Sequence, residues 1–197
     1  DKGVMLRETK RVIDGFTYYF DNYGHMAIGF TIIDGKTYYF DSKGHMLFGF
    51  QVINKDKYYF DEDGVMAVGW NNIKGEIYYF NEKGIMAVGF TVIGDFKYYF
   101  DANGVMAKGF VKISGHTYYF DASGHMLFGW QTIDSKKYYF GPDGIMAVGF
   151  TVIGDFKYYF DANGVMGIGF VKVGGHTYYL DVSGHMLFGW QTIDGKR

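Results

Sequence analysis

Rings at a fixed interval are this chain's main chemical resource. Tyr18-Tyr19-Phe20 returns at Tyr38, Tyr58, Tyr78, Tyr98, Tyr118, Tyr138 and Tyr158, and once as Tyr178-Tyr179-Leu180, with no insertion or deletion across nine copies. A second aromatic column reads Phe30, Phe50, Trp70, Phe90, Phe110, Trp130, Phe150, Phe170 and Trp190. Such rings supply stacking faces, not an acid, a base or a nucleophile. The same faces at the same spacing point to repeated weak binding in repeated grooves instead of one catalytic pocket.

Residues able to do acid–base or metal chemistry follow a different pattern. His45, His125 and His185 sit in Gly-His-Met-Leu-Phe-Gly, His25 sits in Gly-His-Met-Ala-Ile-Gly, and His116 and His176 precede Thr-Tyr-Tyr. Histidines of one column lie at least 20 residues apart, with no i, i+4 pair and no cysteine. Zinc takes four close ligands. Val65, Ile85 and Val105 occupy the same column, so half-exposed loop side chains are expected there, and their titration near neutrality gives a pH-sensitive surface at most. Calcium-binding β-rolls repeat a nine-residue Gly-Gly-x-Gly-x-Asp unit, which this chain lacks. No Ser-His-Asp set, phosphate loop or isolated acidic pair stands out. No metal, no cofactor and no enzymatic activity are expected. The Asp or Asn that follows the Phe column (Asp21, Asp41, Asp61, Asn81, Asp101, Asp121, Asp161, Asp181) is expected to fold back onto its own turn. Gly141, beside the only proline, Pro142, is the exception.

The elements that must position these columns are short strands. Aromatic residues make up 21% of the chain and glycines number 30, a composition for tight turns and against helices. In the copy from Gly29 to Gly49, Phe30-Thr31-Ile32-Ile33 is followed by Asp34-Gly35, a type I′ hairpin signal. Lys36-Thr37-Tyr38-Tyr39-Phe40 is the return strand, and Asp41-Ser42-Lys43-Gly44 makes a second turn. Other hairpin tips read Asn54-Lys55, Lys74-Gly75, Gly94-Asp95, Ser114-Gly115 and Gly174-Gly175; the lysines have no evident place in such a turn. Period two sends Tyr38 and Phe40 to the core and Tyr39 outward. The Met46 column and the Ile33 column are assigned to the core. A 20-residue unit cannot bury its own apolar face, so the units must stack as a solenoid.

A longer period overlies this one. Residues 84–137 and 144–197 match at a 60-residue offset with eight differences in 54 pairs, and Trp70, Trp130 and Trp190 share that spacing. Three hairpins per superhelical turn would align the tryptophans along one edge; a tandem duplication without geometric meaning accounts for the pattern equally well. The whole of 1–197 reads as one repeat domain. Asp1-Lys2-Gly3-Val4-Met5 resembles the end of a preceding copy, Leu6-Arg7-Glu8-Thr9-Lys10 is polar like a cap, and the chain ends in an unfinished hairpin. The expectation is a fragment of a longer protein whose solenoid ends could self-associate.

Composition narrows the partners. The net charge is −2 with lysines spread evenly, so nucleic acid is not expected. Apolar runs fall well short of the ~20 residues of a spanning helix, so neither is membrane insertion. With no cysteine, disulfides and thiol chemistry are excluded. No signal peptide is visible at Asp1.

The unit Gly-aromatic-x-x-Ile-Asp-Gly-Lys-x-Tyr-Tyr-Phe-Asp-x-x-Gly-x-Met-x-x-Gly-aromatic closely resembles the cell-wall-binding repeat superfamily. That superfamily comprises choline-binding modules of lysins, glucan-binding repeats of glucosyltransferases and receptor-binding repeats of large clostridial toxins. Gly129-Trp130-Gln131-Thr132-Ile133-Asp134 looks most like the short repeats of clostridial toxin A. The resemblance implies an all-β fold, a left-handed β-solenoid of stacked hairpins with about three hairpins per turn. It also implies ligand sites between hairpins with three aromatic walls. The first wall is the Phe30 column. The third is the outward tyrosine one repeat on, which pairs Phe30 with Tyr59, Phe50 with Tyr79, Trp70 with Tyr99, Phe90 with Tyr119, Phe110 with Tyr139, Trp130 with Tyr159 and Phe150 with Tyr179. Trp190 would open a further site. Where the middle wall is wanted stand Thr37, Lys57, Ile77, Lys97, Thr117, Lys137, Lys157 and Thr177. A quaternary ammonium needs several ring faces at ~0.5–2 kcal/mol each, and a lysine repels it. Two walls with polar neighbours suit the apolar face of a sugar. The expected function is therefore a multivalent, non-catalytic module, secreted or attached to a cell surface, that binds host-surface or cell-wall glycans. A rigid spacer of a toxin or cell-wall enzyme and a choline-binding module are the alternatives.

Overall fold

The computed structural model describes residues 5–189, and every regular element among them is a β-strand. Consecutive strands pair into nine hairpins. Hairpin 1 is Thr9–Ile13 with Phe16–Phe20, hairpin 2 is Gly29–Ile33 with Lys36–Phe40, and hairpin 3 is Gly49–Ile53 with Asp56–Phe60. Hairpin 4 is Gly69–Ile73 with Glu76–Phe80, hairpin 5 is Gly89–Ile93 with Phe96–Phe100, and hairpin 6 is Gly109–Ile113 with His116–Phe120. Hairpin 7 is Gly129–Ile133 with Lys136–Phe140, hairpin 8 is Gly149–Ile153 with Phe156–Phe160, and hairpin 9 is Gly169–Val173 with His176–Leu180. The fold is the expected all-β solenoid of 20-residue hairpins. By internal contacts the chain forms two compact units, one of Asp1–Thr91 with Tyr99–Met106 and one of Val92–Tyr98 with Ala107–Arg197.

The tips explain the hairpins. Asp34 (φ 50°) and Gly35 (φ 75°) are both left-handed, as a type I′ turn requires. The unplaced lysines do the same, Lys55 at φ 78° and Lys74 at φ 55°. A left-handed side-chain residue costs about 1–2 kcal/mol, which the flanking ladder offsets. At the second turn, Asp41 Oδ1 accepts from the backbone N–H of Lys43 (2.8 Å) and His45 (2.9 Å), which is the expected fold-back. Where Gly141 lacks that carboxylate, Asp143 Oδ1 accepts from Ile145 N instead, at 3.0 Å.

Each unit is built by one recurrent interaction between neighbours. In the first, Met46 N donates to Thr17 O and Met66 N to Thr37 O, both at 2.8 Å; in the second, Met146 N donates to Thr117 O at 2.8 Å and Met166 N to Lys137 O at 2.9 Å. The bond ties the segment that follows one hairpin to the hairpin before that one, so Met46, after hairpin 2, reaches Thr17 of hairpin 1, and the side chains close over it. Phe40, Phe60, Phe80, Phe100, Phe120, Phe140, Phe160 and Leu180 are fully buried. Tyr38, Tyr58, Tyr78, Tyr98, Tyr118, Tyr138 and Tyr158 are buried too.

Three core assignments need correction. The Tyr39 column does not face outward: Tyr39 is half-buried against Ile53, Tyr58 and Phe60 of the next hairpin, and Tyr119 likewise against Tyr138, Phe140 and Met146. Period two places it on the outer face of its own hairpin, and stacking then covers that face. The Ile33 column is buried at Ile33, Ile53 and Ile73 but half-buried from Ile93 onward. Ile13 and Met26, in the first repeat, are exposed, because no earlier hairpin covers them among the described residues.

Candidate ligand-binding seams

The ladder fixes which rings meet. Phe30 lies directly opposite Tyr39, and Trp130 opposite Tyr139, so each outer aromatic touches the second tyrosine of its own hairpin. The centroids are 4.8 Å apart for Phe30–Tyr39, 5.0 Å for Trp70–Tyr79 and for Phe90–Tyr99, and 5.2 Å for Trp130–Tyr139. The next hairpin contributes its first tyrosine. Phe30 meets Tyr58 at 5.2 Å, Phe50 meets Tyr78 at 5.2 Å, Phe110 meets Tyr138 at 5.1 Å, Trp130 meets Tyr158 at 4.9 Å and Phe150 meets Tyr178 at 4.8 Å. These are tilted or edge contacts of the kind aromatic pairs prefer.

The expected pairing is thus off by one residue. Tyr59, Tyr79, Tyr119, Tyr139, Tyr159 and Tyr179 do not close the seam opened one repeat earlier; they are the cross-strand partners of Phe50, Trp70, Phe110, Trp130, Phe150 and Phe170. The seam is closed by the Tyr58 column, which had been counted as core only. The doubled tyrosine was the available signal: of two adjacent rings on opposite faces, one serves its own hairpin and the other the hairpin before. Trp190 lies outside the described residues.

Two cavities open along these seams. One of about 280 Å³ is lined by Phe50, Gln51, Val52, Lys57, Tyr78, Met86 and Asn103. The other, of about 330 Å³, is lined by Phe110, Thr117, Tyr138, Met146, Ala162 and Asn163. Phe, Tyr, Met and Asn recur at matching positions, and Lys57 or Thr117 stands where a third ring would complete a cage. The outer aromatics remain open to solvent, Phe110 at 44% and Trp130 at 41%. Gln51, Met86 and Asn103 are lining residues that the sequence did not single out.

Lysines reach into the seams. Lys57 Nζ donates to Ala102 O at 3.0 Å. Lys157 Nζ sits 4.8 Å from the Phe150 ring centroid, and Lys10, which replaces the outer aromatic in hairpin 1, places Nζ 3.7 Å from that of Tyr38. Tyr58 and Tyr78 stay protonated at neutral pH. Burial raises the pKa of Tyr58, helped by Asp56, and that of Tyr78, helped by Glu76 and Asp101.

The histidines are more ordered than loop side chains. His45, His125 and His185 place Nδ1 3.1–3.2 Å from Oδ2 of Asp41, Asp121 and Asp181. Each imidazole stacks on a ring of the preceding hairpin, Phe16, Phe96 or Phe156, at 3.8–3.9 Å. Partial burial works to raise the pKa of these aspartates, but backbone donors and the imidazole outweigh it and hold them below the ordinary value. Among the described residues no group of three or more His, Cys, Asp or Glu could hold a metal ion.

Comparison with known proteins agrees with this geometry. A family model described as choline-binding repeat matches residues 10–48, 47–89, 87–128, 127–166 and 147–188. A search of curated proteins returns no match. Among solved structures, CbpJ from Streptococcus pneumoniae TIGR4 is 26% identical, with 94% of this chain and 89% of that one covered and a TM-score of 0.70. Choline binding protein F of Streptococcus pneumoniae is 27% identical over 94% and 88% of the two chains, with a TM-score of 0.61. The choline-binding domain of CbpL from the same species is 29% identical over 87% and 92%, with a TM-score of 0.58. With a stack of hairpins, aromatic seams and a family match along nearly its whole length, this chain belongs to the choline-binding repeat family.

Proposed function

We propose that the chain is a multivalent, non-catalytic module of a secreted or surface-attached protein, and that its seams bind carbohydrate of a cell wall or a host cell surface. Residues 1–197 act in this reading as one repeat domain, in a setting such as the receptor-binding region of a toxin. The observation that carries the reading is the composition of the two seam cavities. Each offers two rings and an asparagine, with Lys57 or Thr117 in place of a third ring. Ring faces stack on the apolar C–H face of a sugar, and the amide, lysine and threonine groups hydrogen-bond its hydroxyls. Choline binding protein F has been solved in the presence of a peptidoglycan analogue, a tetrasaccharide-pentapeptide, and is 27% identical to this chain. Repetition supplies strength: linked weak sites raise avidity ~10²–10⁴-fold without new contacts.

The test is a glycan array together with pull-down by isolated cell walls, using the full chain and its Trp130→Ala and Tyr158→Ala variants. Lost binding with a retained circular dichroism spectrum supports the module. Lost folding assigns these rings to packing, and no binding by the native chain refutes the reading.

One observation favours choline as a second ligand. The Tyr38 face already holds an ammonium, that of Lys10, at 3.7 Å. Elution from a choline column at millimolar choline would support this reading, and flow-through would reject it.

A further inference from the structure

Hairpin 7 is the one described hairpin with two consecutive lysines before its tyrosine pair, Lys136 and Lys137. Both line a cavity of about 280 Å³ with Ser135, Val165, Met166, Ile168 and Val182. Among the described residues no carboxylate lines it. Neither ammonium has a hydrogen bond, ion pair or ring contact among the described residues. Val182, on its rim, is 90% exposed. The cavity therefore joins two unneutralised cations to an unpartnered apolar face.

Hairpin 3 provides an internal comparison. Its equivalent cavity, of about 410 Å³, is lined by Lys55, Asp56, Lys57, Ile85, Met86, Val88 and Ala102. Its lining charge is two lysines less one aspartate, +1, against +2 in hairpin 7. The Lys57 ammonium is also tied to Ala102 O, whereas that of Lys137 has no partner among the described residues. In hairpin 3, Lys57 and Met86 line this cavity and the aromatic seam alike. Lys137 and Met166 stand at the repeat positions of Lys57 and Met86, Trp130 meets Tyr158 of the next hairpin, and the ladder puts Trp130 and Lys137 on one face and Lys136 on the other.

Resting on the glycan reading, we infer that hairpin 7 selects an acidic sugar: the ring stacks on Trp130 and the carboxylate lies by Lys137, with Lys136 adding its charge at the same cavity. An aromatic seam without a lysine, such as that of Phe110 and Thr117, takes neutral sugars. Two ammoniums near one carboxylate at the surface amount to about a tenfold preference at low salt, which screening reduces.

The experiment titrates the full chain with methyl β-D-glucuronide and methyl β-D-glucoside, two sugars that differ at one carboxylate, and follows backbone amide NMR shifts. The expected result is about tenfold tighter glucuronide binding at hairpin 7, with the difference shrinking as salt rises. Lys136→Gln with Lys137→Gln should abolish the preference, so that glucuronide and glucoside bind alike at hairpin 7. Asp56→Lys should create a second glucuronide-preferring site at hairpin 3. Acetate at equal concentration should not compete; if it does, the site takes any anion and the sugar specificity is wrong. Glucoside binding without a glucuronide preference, or a preference that survives the double glutamine variant, overturns this inference alone. No shift with either sugar overturns the glycan reading and this inference with it.

Discussion

Installing the missing ring at Thr117 should convert a seam proposed to take sugar into a choline seat. In the native seam Phe110 is 44% exposed and Tyr138 is 7% exposed, so two faces border the cavity and Thr117 closes its third side. An indole there adds one cation–π face, about 1–2 kcal/mol in a partly desolvated cavity. That is about 5–30-fold in choline affinity, since 1.4 kcal/mol is tenfold. Lys57→Trp should gain more, because it also removes a like charge from the same cavity, about 1 kcal/mol at contact distance near water. The loss of the Lys57–Ala102 bond sets against this only an exposed hydrogen bond. The assay is choline titration by calorimetry or NMR, with retention on a choline resin and a denaturation curve for each variant. Folded T117W binding choline no better than the native chain would refute the reasoning. So would a native chain that already binds as tightly as the variant, since two walls would then suffice.

Three further outcomes follow from the fold. Phe140→Ala should cost about 3–5 kcal/mol and Phe140→Leu about 1 kcal/mol, because Leu180 fills the same fully buried column; hydrogen exchange should localise the loss to the neighbouring hairpins. The folded-state pKa of Asp41 lies below its ordinary 3.8, so its carboxylate adds stability above that value, and this is lost as pH falls through the folded pKa. Asp41→Asn, which keeps an acceptor as Asn81 does naturally, should flatten the acid limb of an unfolding curve measured from pH 6 to pH 2, roughly the range carboxylates titrate. Gly149→Ala and Gly144→Ala both place alanine at positive φ, 72° and 81°, for about 1–2 kcal/mol each. Only at Gly144 would the new Cβ meet a side chain, Met126 Cε at 2.5 Å, so its midpoint in urea should fall further.

The repeat made most of the fold legible. Hairpin tips, the Phe40 core column and the aspartate fold-back could be read from local chemistry, since each depends on residues within one unit. What could not be read depends on the neighbouring unit. Tyr39 alternates outward within its strand, yet it is half-buried once hairpin 3 stacks against it. Tyr58 alternates inward, yet its ring edge reaches Phe30 of the hairpin before. The third-wall error has the same source, because strand periodicity says which face a residue is on and not what will cover that face. The histidines illustrate it again. Their column accepts Val and Ile, which reads as indifference, but His45 is matched by Phe16 at the preceding tip, His125 by Phe96 and His185 by Phe156. That signal was a correlation between columns 29 residues apart, invisible to any single column.

The contrast between invariant and variable columns has a physical cause. The residue before each tyrosine pair holds the stack together through its carbonyl alone: Thr17, Thr37, Lys57, Ile77, Lys97, Thr117, Lys137 and Lys157 each accept one backbone bond from a methionine N–H 29 residues on, at 2.7–2.9 Å. A carbonyl is common to every residue, so stacking places no demand on the side chain there. The side chain borders the seam cavity at Lys57 and at Thr117, so the two fixed rings face a lysine in one and a threonine in the other. The Phe40 column is held to a large apolar side chain, Phe or the leucine of Leu180, because that side chain is the core. In the proposed function, selectivity and stability thereby rest on different atoms of the same strand. A solenoid built this way can change what each seam accepts, one residue at a time, without altering the bond that stacks the next hairpin.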